Sequence, residues 1–371
     1  MITRLKKLNP DPILGIVSKF KMDNNPKKIN LSVGEFVDQS NVYKFRSVNK
    51  IERSFDMNYR YLPIPGCPDF IEKSRNFVYG SNNNYLGYQT ISGTGSLWLA
   101  NQILNLPYNC RNVITADITW PNHNQIFNIT GTYKYSTKLD SLLIKINESK
   151  NNVFLFQSCC HNPTGMDYSK DNWDTIADEI NKNDHTVIMD NAYQGLASGN
   201  PQVDNYSIKA LDKMNIPMIV CSSYAKNFGL YNQRLGSLFT NFEAENLDDY
   251  IKKIIRSSYS NPPAFGTLIF NKVIDDHYDE WETECLDLTK TLKNNRELLY
   301  AKLKIKNITW DNLVDGNGLF YLSPLNEAQI NTLSQEHSIY MLKNGRINIA
   351  GINKNNIDYI VEKISECWWL S

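Results

Sequence analysis

The sequence lacks the patterns that mark metal sites, secretion and membrane insertion. Its seven cysteines form no Cys-x-x-Cys pair and no spacing suited to zinc, so no metal site is predicted. An odd, scattered set of cysteines fits reduced thiols in the cytosol. The opening stretch MITRLKKLNPDP has no apolar core of signal-peptide length, and no later segment is apolar over the length of a membrane span. We therefore expect a cytoplasmic protein without a membrane partner.

The chain also lacks an excess of either charge. Its 39 Lys and Arg residues balance 39 Asp and Glu residues, which argues against nucleic acid as a partner. With 42% hydrophobic and 21% charged residues, the composition is that of an ordinary globular protein. Because 371 residues exceed one compact core, we expect a large domain and a smaller one.

Short apolar segments alternate with helical patterns through the middle of the chain. These segments are VITADI from residue 113, VFLFQS from 153, TVIMD from 186, MIVCSS from 218 and GSLFT from 236. Strands separated by helices predict a large three-layer α/β/α domain with a mostly parallel sheet.

The pattern changes near residue 280, where a long amphipathic helix leads into shorter strands and a closing helix at 355–367. This change predicts a smaller α+β domain. The expected boundaries are 1–38 for an N-terminal arm with part of the small domain, 39–289 for the large domain and 290–371 for the small C-terminal domain.

Polar residues that follow the apolar segments form the candidate site, because parallel sheets bind ligands beyond the carboxyl ends of their strands. In SSYAKNFGLYNQRLG, Lys226 follows a buried strand, and a lysine held inward commonly has a chemical function. Ser223 and Arg234 of the same stretch suit an anion, although singly they read as a turn residue and a surface charge. SGTGSL opens a helix at Ser92, where backbone N–H groups suit a phosphate or an ordinary N-cap.

Three further segments offer groups that suit a planar ring. In VIMDNAYQG, Asp190 can hold a ring nitrogen protonated and Tyr193 can bond a ring oxygen, although Asp190 also suits a helix N-cap. In QSCCHNPTG, a turn presents Asn162 inward or simply uses it as a turn residue. In TWPNHNQIF, Trp120 can cover a ring and His123 can orient Asp190, although both also suit core packing.

Two arginines are placed to bind carboxylates. Arg256 in IIRSSYSNPPAFG and Arg346 in NGRINIAG lie among apolar or small residues, where a guanidinium is suited to bidentate carboxylate binding. Structural ion pairs are the alternative for each.

Taken in order, these motifs resemble the aspartate aminotransferase family of pyridoxal-phosphate enzymes of fold type I. The shared segments are SGTGSL, TWPNHNQIF, HNPTG, DNAYQGLASG, SSYAKNFGLYNQRLG, YSNPPAFG and NGRINIAG, and the resemblance extends from about residue 10 to the C-terminus. It implies that fold, a pyridoxal 5'-phosphate cofactor, and the exchange of an amino group between aspartate and 2-oxoglutarate to give oxaloacetate and glutamate.

The resemblance also implies roles for the candidate residues. Lys226 forms the Schiff base with the cofactor and moves a proton at the substrate α-carbon, while Asp190 pairs with the pyridinium nitrogen. Asn162 and Tyr193 hold the ring hydroxyl, and His123 lies behind Asp190. Trp120 stacks on the ring. The implied phosphate ligands are Ser92, Gly93, Thr94, Ser223, Arg234 and, from a neighbouring subunit, Tyr61.

For the substrate, the resemblance implies that Arg346 binds the α-carboxylate with help from Asn162, and that Gly34 leaves it room. Arg256 of a partner subunit is implied for the distal carboxylate, so a homodimer with shared sites is expected. The chain departs from the family pattern at Gln157, where a histidine is usual, and at Gln233, where a glutamate is usual.

Two other functions stay open. One is an aromatic or broad-specificity aminotransferase, because it shares the catalytic residues. The other is a binding protein that keeps the fold without activity, which the presence of Lys226, Asp190 and Arg346 disfavours. Decarboxylation or β-elimination is disfavoured because two arginines suit the exchange of dicarboxylates.

Overall fold

The computed structural model describes residues 12–38, 41–51, 60–81, 83–106 and 112–369. The first eleven residues of the expected N-terminal arm, Pro10 among them, lie outside the described residues. The chain divides into two compact units. One runs over Tyr43–Lys290, and the other comprises the described parts of Met1–Val42 and Thr291–Ser371.

The strands of the described residues are numbered in chain order. They are β1 Ile29–Asn30, β2 Val37–Asp38, β3 Asn41–Val42, β4 Leu86–Ile91, β5 Val113–Ala116, β6 Ile129–Tyr133, β7 Val153–Gln157, β8 Thr186–Asn191, β9 Met218–Ser223, β10 Leu235–Thr240, β11 Phe320–Leu322, β12 Ile339–Tyr340 and β13 Arg346–Asn348.

The helices are numbered in the same way. They are α1 Pro12–Met22, α2 Arg46–Ile51, α3 Pro68–Tyr79, α4 Ser92–Leu104, α5 His123–Ile126, α6 Asp140–Asn147, α7 Lys170–Lys182, α8 Pro201–Asp204, α9 Tyr206–Lys213, α10 Leu247–Ser258, α11 Phe265–Asp276, α12 Tyr278–Ile305, α13 Glu327–Glu336 and α14 Ile357–Cys367, with a short 3₁₀ helix at Ile349–Gly351.

The larger unit contains a seven-stranded sheet of order β4-β10-β9-β8-β7-β5-β6. Strand β10 runs antiparallel to both of its neighbours, and the other strand pairs are parallel. Strands β8 and β9 are buried along their whole length, as expected for central strands with apolar residues on both faces. The predicted α/β fold with a mostly parallel sheet is confirmed.

Two strands of this sheet have no counterpart among the apolar segments of the sequence. Strand β4 reads LGYQTI and strand β6 reads ITGTY, so glycine and polar residues interrupt any continuous apolar run. Their place in the sheet depends on backbone pairing with β10 and β5. Such pairing is a tertiary property that local hydrophobicity does not reveal.

The register of the sheet places the polar segment ends at one edge. Asp190 near the end of β8 is opposite Gln157, the last residue of β7, and opposite Cys221 of β9. Strand β4 runs in the same direction as β9 because both are antiparallel to β10. The residues that follow β4, β7, β8 and β9 therefore meet at the carboxyl edge of the sheet.

The smaller unit combines helices with two-stranded sheets. Strand β1 pairs in parallel with β12, and β11 pairs antiparallel with β13, which begins at Arg346. Asn348 holds the segment after β1 in place, because its side-chain amide donates to the carbonyls of Val33 at 2.7 Å and Glu35 at 2.8 Å. Among the described residues of the whole chain, no helix is both long and apolar enough to span a membrane.

Candidate active site

A buried histidine and a carboxylate form the centre of the candidate site in the larger unit. Asp190 is only 7% exposed, and the ring of His123 at the start of α5 is completely buried. His123 Nε2 lies 2.9 Å from Asp190 Oδ2. The structure therefore brings together the two residues that the sequence analysis paired.

A chain of hydrogen bonds continues from His123 to the turn after β7. His123 Nδ1 lies 2.8 Å from Thr119 Oγ1, which accepts a hydrogen bond from Gln157 Nε2 at 3.3 Å. Gln157 also bonds the backbone of Asn162, donating to its carbonyl at 3.0 Å and accepting from its N–H at 2.8 Å. Asn162 and Asp190 thus belong to one network, although no pattern in the sequence marks Thr119 as a member.

Lys226 lies in the turn after β9, half-buried, with its ammonium 5.6 Å from the centre of the Tyr193 ring. The next residue, Asn227, anchors this turn. Its carbonyl accepts a hydrogen bond from Trp281 Nε1 at 2.7 Å, and its side-chain amide donates to the carbonyl of Gln194 at 3.0 Å. These contacts hold the backbone beside the lysine while the ammonium faces a phenol ring.

An aromatic cluster supports the turn that carries Lys226. Phe228 stacks on Trp281 with ring centres 4.6 Å apart, Phe77 meets both rings edge to face, and Phe270 meets Phe228 at a tilt. All four side chains are buried. Rigid packing of this kind limits the positions open to Lys226.

The start of α4 and the turn before β10 form a cradle of small residues. The backbone N–H of Ser92 donates to the carbonyl of Arg234 at 2.7 Å, and both residues have positive φ angles. A side-chain carbon at Gly93 would lie 2.8 Å from the Cβ of Ser223, so only glycine fits there. Thr94 follows in the first turn of α4. These four residues and Ser223 surround the N-terminus of a 13-residue helix, where N–H groups favour an anion.

Three further candidate residues lie in different surroundings: Trp120, Tyr61 and Arg256. Trp120 meets the ring of His123 edge to face, with ring centres 5.4 Å apart, so it lies beside the Asp190 network. Tyr61 is 92% exposed. Arg256 is exposed in the last turn of α10, and its guanidinium donates to Ser260 Oγ.

In the smaller unit, Arg346 and Gly34 share one aromatic neighbour that the sequence did not indicate. Arg346 is 2% exposed, its guanidinium lies 4.1 Å from the centre of the Phe320 ring, and its Nη2 donates to the carbonyl of Ser32 at 2.7 Å. A side-chain carbon at Gly34 would lie 2.8 Å from the edge of the same ring. Phe320 thus sets both the place of the guanidinium and the space beside Gly34.

The groups of the larger unit fit pyridoxal phosphate. Asp190 would offer a carboxylate partner to the ring nitrogen, Lys226 an amine to the aldehyde, and the helix N-terminus at Ser92 a place for the phosphate. The glycine-lined cradle at Gly93 is the observation that supports the phosphate, because any other residue would fill it. Among the described residues, no cluster of His, Cys, Asp and Glu suits a metal ion.

Comparisons with known proteins agree with this chemistry. The family described as aminotransferase class I and II matches residues 26–364. The chain is 34% identical to a mitochondrial aspartate aminotransferase of Schizosaccharomyces pombe, over 96% of this chain and 88% of that protein.

Solved structures are similar over nearly the whole chain. The cytoplasmic aspartate aminotransferase of Saccharomyces cerevisiae matches with a TM-score of 0.93 and 27% identity, covering 99% of this chain and 98% of that one. A broad-specificity aminotransferase of Leishmania mexicana matches with a TM-score of 0.92 and 29% identity, covering 98% and 97%. The resemblance seen in the sequence motifs, including fold type I, is confirmed.

His161, in the HNPTG turn, is a second buried histidine near the network. It stacks on Tyr135 with ring centres 3.8 Å apart, and its Nδ1 lies 2.8 Å from Thr164 Oγ1. The pKa of His161 is lowered from 6.5 to about 3, mainly because burial penalises the charged ring and secondarily because His123 lies nearby. His161 is therefore neutral in the native protein at neutral pH.

This neutral histidine makes the stability of the protein depend on pH. As the pH falls below 6.5, the unfolded chain takes up a proton at residue 161 that the native protein does not bind. Lowering the pH from 7 to 5 should therefore cost about 2 kcal/mol of unfolding free energy at this site alone. In a His161→Gln variant, the loss between these pH values should be smaller by about that amount, measured by urea unfolding.

His277→Gln is the matched control, because the ring of His277 is only half-buried on the surface of the same unit. The difference between the two variants isolates the contribution of residue 161. Equal losses of stability for the unmodified protein and His161→Gln would contradict the assignment.

Proposed function

This chain belongs to the aminotransferase class I and II family, and on that premise we propose that it exchanges the amino group between L-aspartate and 2-oxoglutarate. The products are oxaloacetate and L-glutamate, formed in two half-reactions of a ping-pong cycle that uses pyridoxal 5'-phosphate. The observation that carries the proposal is the convergence of Lys226, Tyr193 and the Asp190–His123 pair at one sheet edge. This convergence supplies an amine and a carboxylate for one cofactor.

When bound, pyridoxal phosphate withdraws electrons and so stabilises negative charge at the substrate α-carbon. Lys226 would hold the cofactor through its amine and move the proton at the α-carbon. Asp190 would keep the ring nitrogen protonated. Asn162 and Tyr193 would bond the ring hydroxyl, and Trp120 would cover the ring face.

The cradle at the start of α4 would hold the phosphate, together with the positive charge of Arg234 just before β10. Backbone N–H groups and hydroxyls supply most of the ligands, and one guanidinium supplies charge. The proposed ligands are Ser92, Gly93, Thr94, Ser223, Arg234 and Tyr61.

The two arginines would select a dicarboxylate. Arg346 is buried and already oriented by Phe320, so it would bind the α-carboxylate without a large loss of side-chain entropy. Gly34 leaves room for that carboxylate, and Asn162 would assist. Arg256 would bind the distal carboxylate of aspartate or glutamate.

We also propose that the protein is a homodimer with shared sites. Tyr61 and Arg256 are exposed in the single chain, as residues offered to a second chain would be. The cofactor would belong to the predicted large domain, 39–289, and the predicted domain 290–371 with 1–38 would supply Arg346 and Gly34.

The location in the cytoplasm is a further proposal, based on the scattered cysteines. The similar proteins named above include one mitochondrial and one cytoplasmic enzyme. Fractionation of the source cells would decide between the two compartments.

A broad-specificity or aromatic aminotransferase is the second candidate, because the structural similarity to the Leishmania mexicana enzyme is as extensive. The catalytic efficiency, kcat/KM, on aspartate and on phenylalanine with 2-oxoglutarate separates the two. We expect a higher kcat/KM for aspartate, since a guanidinium left without its carboxylate partner weakens phenylalanine binding.

A higher kcat/KM for phenylalanine would favour the second candidate. If neither amino acid reacts in protein that has bound the cofactor, the chain would instead be a binding protein with an aminotransferase fold.

Hybrid dimers test the origin of Arg256. A Lys226→Ala chain paired with an Arg256→Ala chain forms one dimer with two different sites. If Arg256 acts across the dimer, one site has a native lysine and a native arginine, and the hybrid regains about half of the native activity on aspartate. The Arg256→Ala homodimer should lose about 30-fold or more in kcat/KM, because truncating one partner of a buried charge pair costs about 2 to 5 kcal/mol.

Lys253→Ala replaces Arg256→Ala in the control hybrid, since it removes an exposed cation from the same helix. The Lys253→Ala homodimer should keep native activity. If the Lys226→Ala and Arg256→Ala hybrid is no more active on aspartate than its two parents, Arg256 does not act across the dimer.

A further inference from the structure

Gln157 links the proposed site to the backbone of the turn that follows β7. It is the last residue of β7 and lies opposite Asp190 in the parallel pairing of β7 with β8. Its side-chain amide contacts both Asn162 and Thr119. No hydrogen bond joins it directly to Asp190 or Lys226 among the described residues, so any effect on them is transmitted through other groups.

The backbone of Asn162 determines which end of this amide is oxygen and which is nitrogen. The N–H of Asn162 can only donate, and it lies 2.8 Å from Gln157 Oε1. The carbonyl of Asn162 can only accept, and it lies 3.0 Å from Gln157 Nε2. Exchanging the two ends of the amide would place donor against donor and acceptor against acceptor. The nitrogen must therefore face Thr119.

The orientation of the Gln157 amide in turn constrains the hydroxyl of Thr119. Thr119 Oγ1 accepts from Gln157 Nε2 and can give its own proton to His123 Nδ1, which lies 2.8 Å away. A nitrogen that accepts carries no proton. With the Thr119 proton given to Nδ1, the ring proton of His123 is on Nε2, which lies 2.9 Å from Asp190 Oδ2 and would donate to it.

We infer that Gln157 is a positioning residue that fixes the direction of the hydrogen-bond chain from Thr119 through His123 to Asp190. Each group in this chain uses its proton toward Asp190, so the carboxylate always faces a donor. A carboxylate that accepts a hydrogen bond keeps its negative charge and can pair with a protonated ring nitrogen. The role at Asp190 rests on the proposed function, whereas the direction of the chain does not.

An amide suits this task because it neither ionises nor exchanges its donor and acceptor ends. Imidazole, the group that the family pattern places here, has two neutral tautomers and a charged form. Glutamine at 157 removes those alternatives from the far end of the chain. The proton on His123 is then specified by backbone atoms of Asn162, which cannot change their roles.

The position of the ring proton is directly measurable by NMR. In full-length protein labelled with nitrogen-15 in its five histidines, protonated and unprotonated ring nitrogens resonate far apart. We expect His123, assigned by the signals lost in His123→Asn, to show an unprotonated Nδ1 and a protonated Nε2, both with and without the cofactor. A protonated Nδ1 in the unmodified protein would overturn the inference, whether or not the protein is an active enzyme.

Gln157→Glu tests the role of the amide nitrogen. This variant has nearly the same shape but, when ionised, has no donor for Thr119, so the Thr119 hydroxyl turns toward residue 157. The Nδ1 signal of His123 should then move to the protonated position. Gln125→Glu is the matched control, because it introduces the same charge at an exposed position of α5, the helix that begins with His123.

The Gln125→Glu protein should keep the signals of the unmodified protein. Unchanged His123 signals in a folded Gln157→Glu protein would overturn the inference, as would equal shifts in both variants. If Gln157→Glu does not fold, the tautomer of the unmodified protein still decides the point. Because neither readout needs turnover, failure of this inference is distinct from failure of the proposed aminotransferase activity.

Discussion

The hydrogen bond between His123 and Asp190 is the interaction on which the candidate site depends. A carboxylate that is 7% exposed must be neutralised or bonded, because an unpaired buried charge is very costly. His123 meets this requirement only if the segment after β5 crosses the ends of β7 and β8. The parallel register of β7 and β8 also places Gln157 opposite Asp190, so that Gln157 joins the same network at its other end.

The same sheet edge explains how much of the site could be predicted. Strands β5, β7, β8, β9 and β10 coincide with apolar runs, so the residues that follow them could be found by inspection. Asp190 and Ser223, near the ends of β8 and β9, and Lys226, just after β9, are of this kind. Strands β4 and β6 carry glycine and polar residues, and their place depends on partners distant in the sequence.

Other participants could not be predicted, because what they do is set by contacts across the fold. In the sequence, Thr119 is an ordinary small polar residue. Only the fold places His123 and Gln157 on either side of it. Trp281, about fifty residues beyond Lys226 in sequence, bonds the carbonyl beside that lysine. Phe320 packs against both the guanidinium of Arg346 and the open side of Gly34. Local patterns hold no information about such pairs.

The two buried histidines near Asp190 complete the electrostatic argument. His161 is held neutral mainly by burial, which lowers its pKa to about 3, so it adds no positive charge behind Asp190. In the direction inferred for the bonds from Gln157, His123 donates its Nε2 proton to the carboxylate. Asp190 therefore accepts a hydrogen bond from the buried side and remains available to a cation. A protonated ring nitrogen is such a cation, and this requirement links the buried network to the chemistry of Lys226.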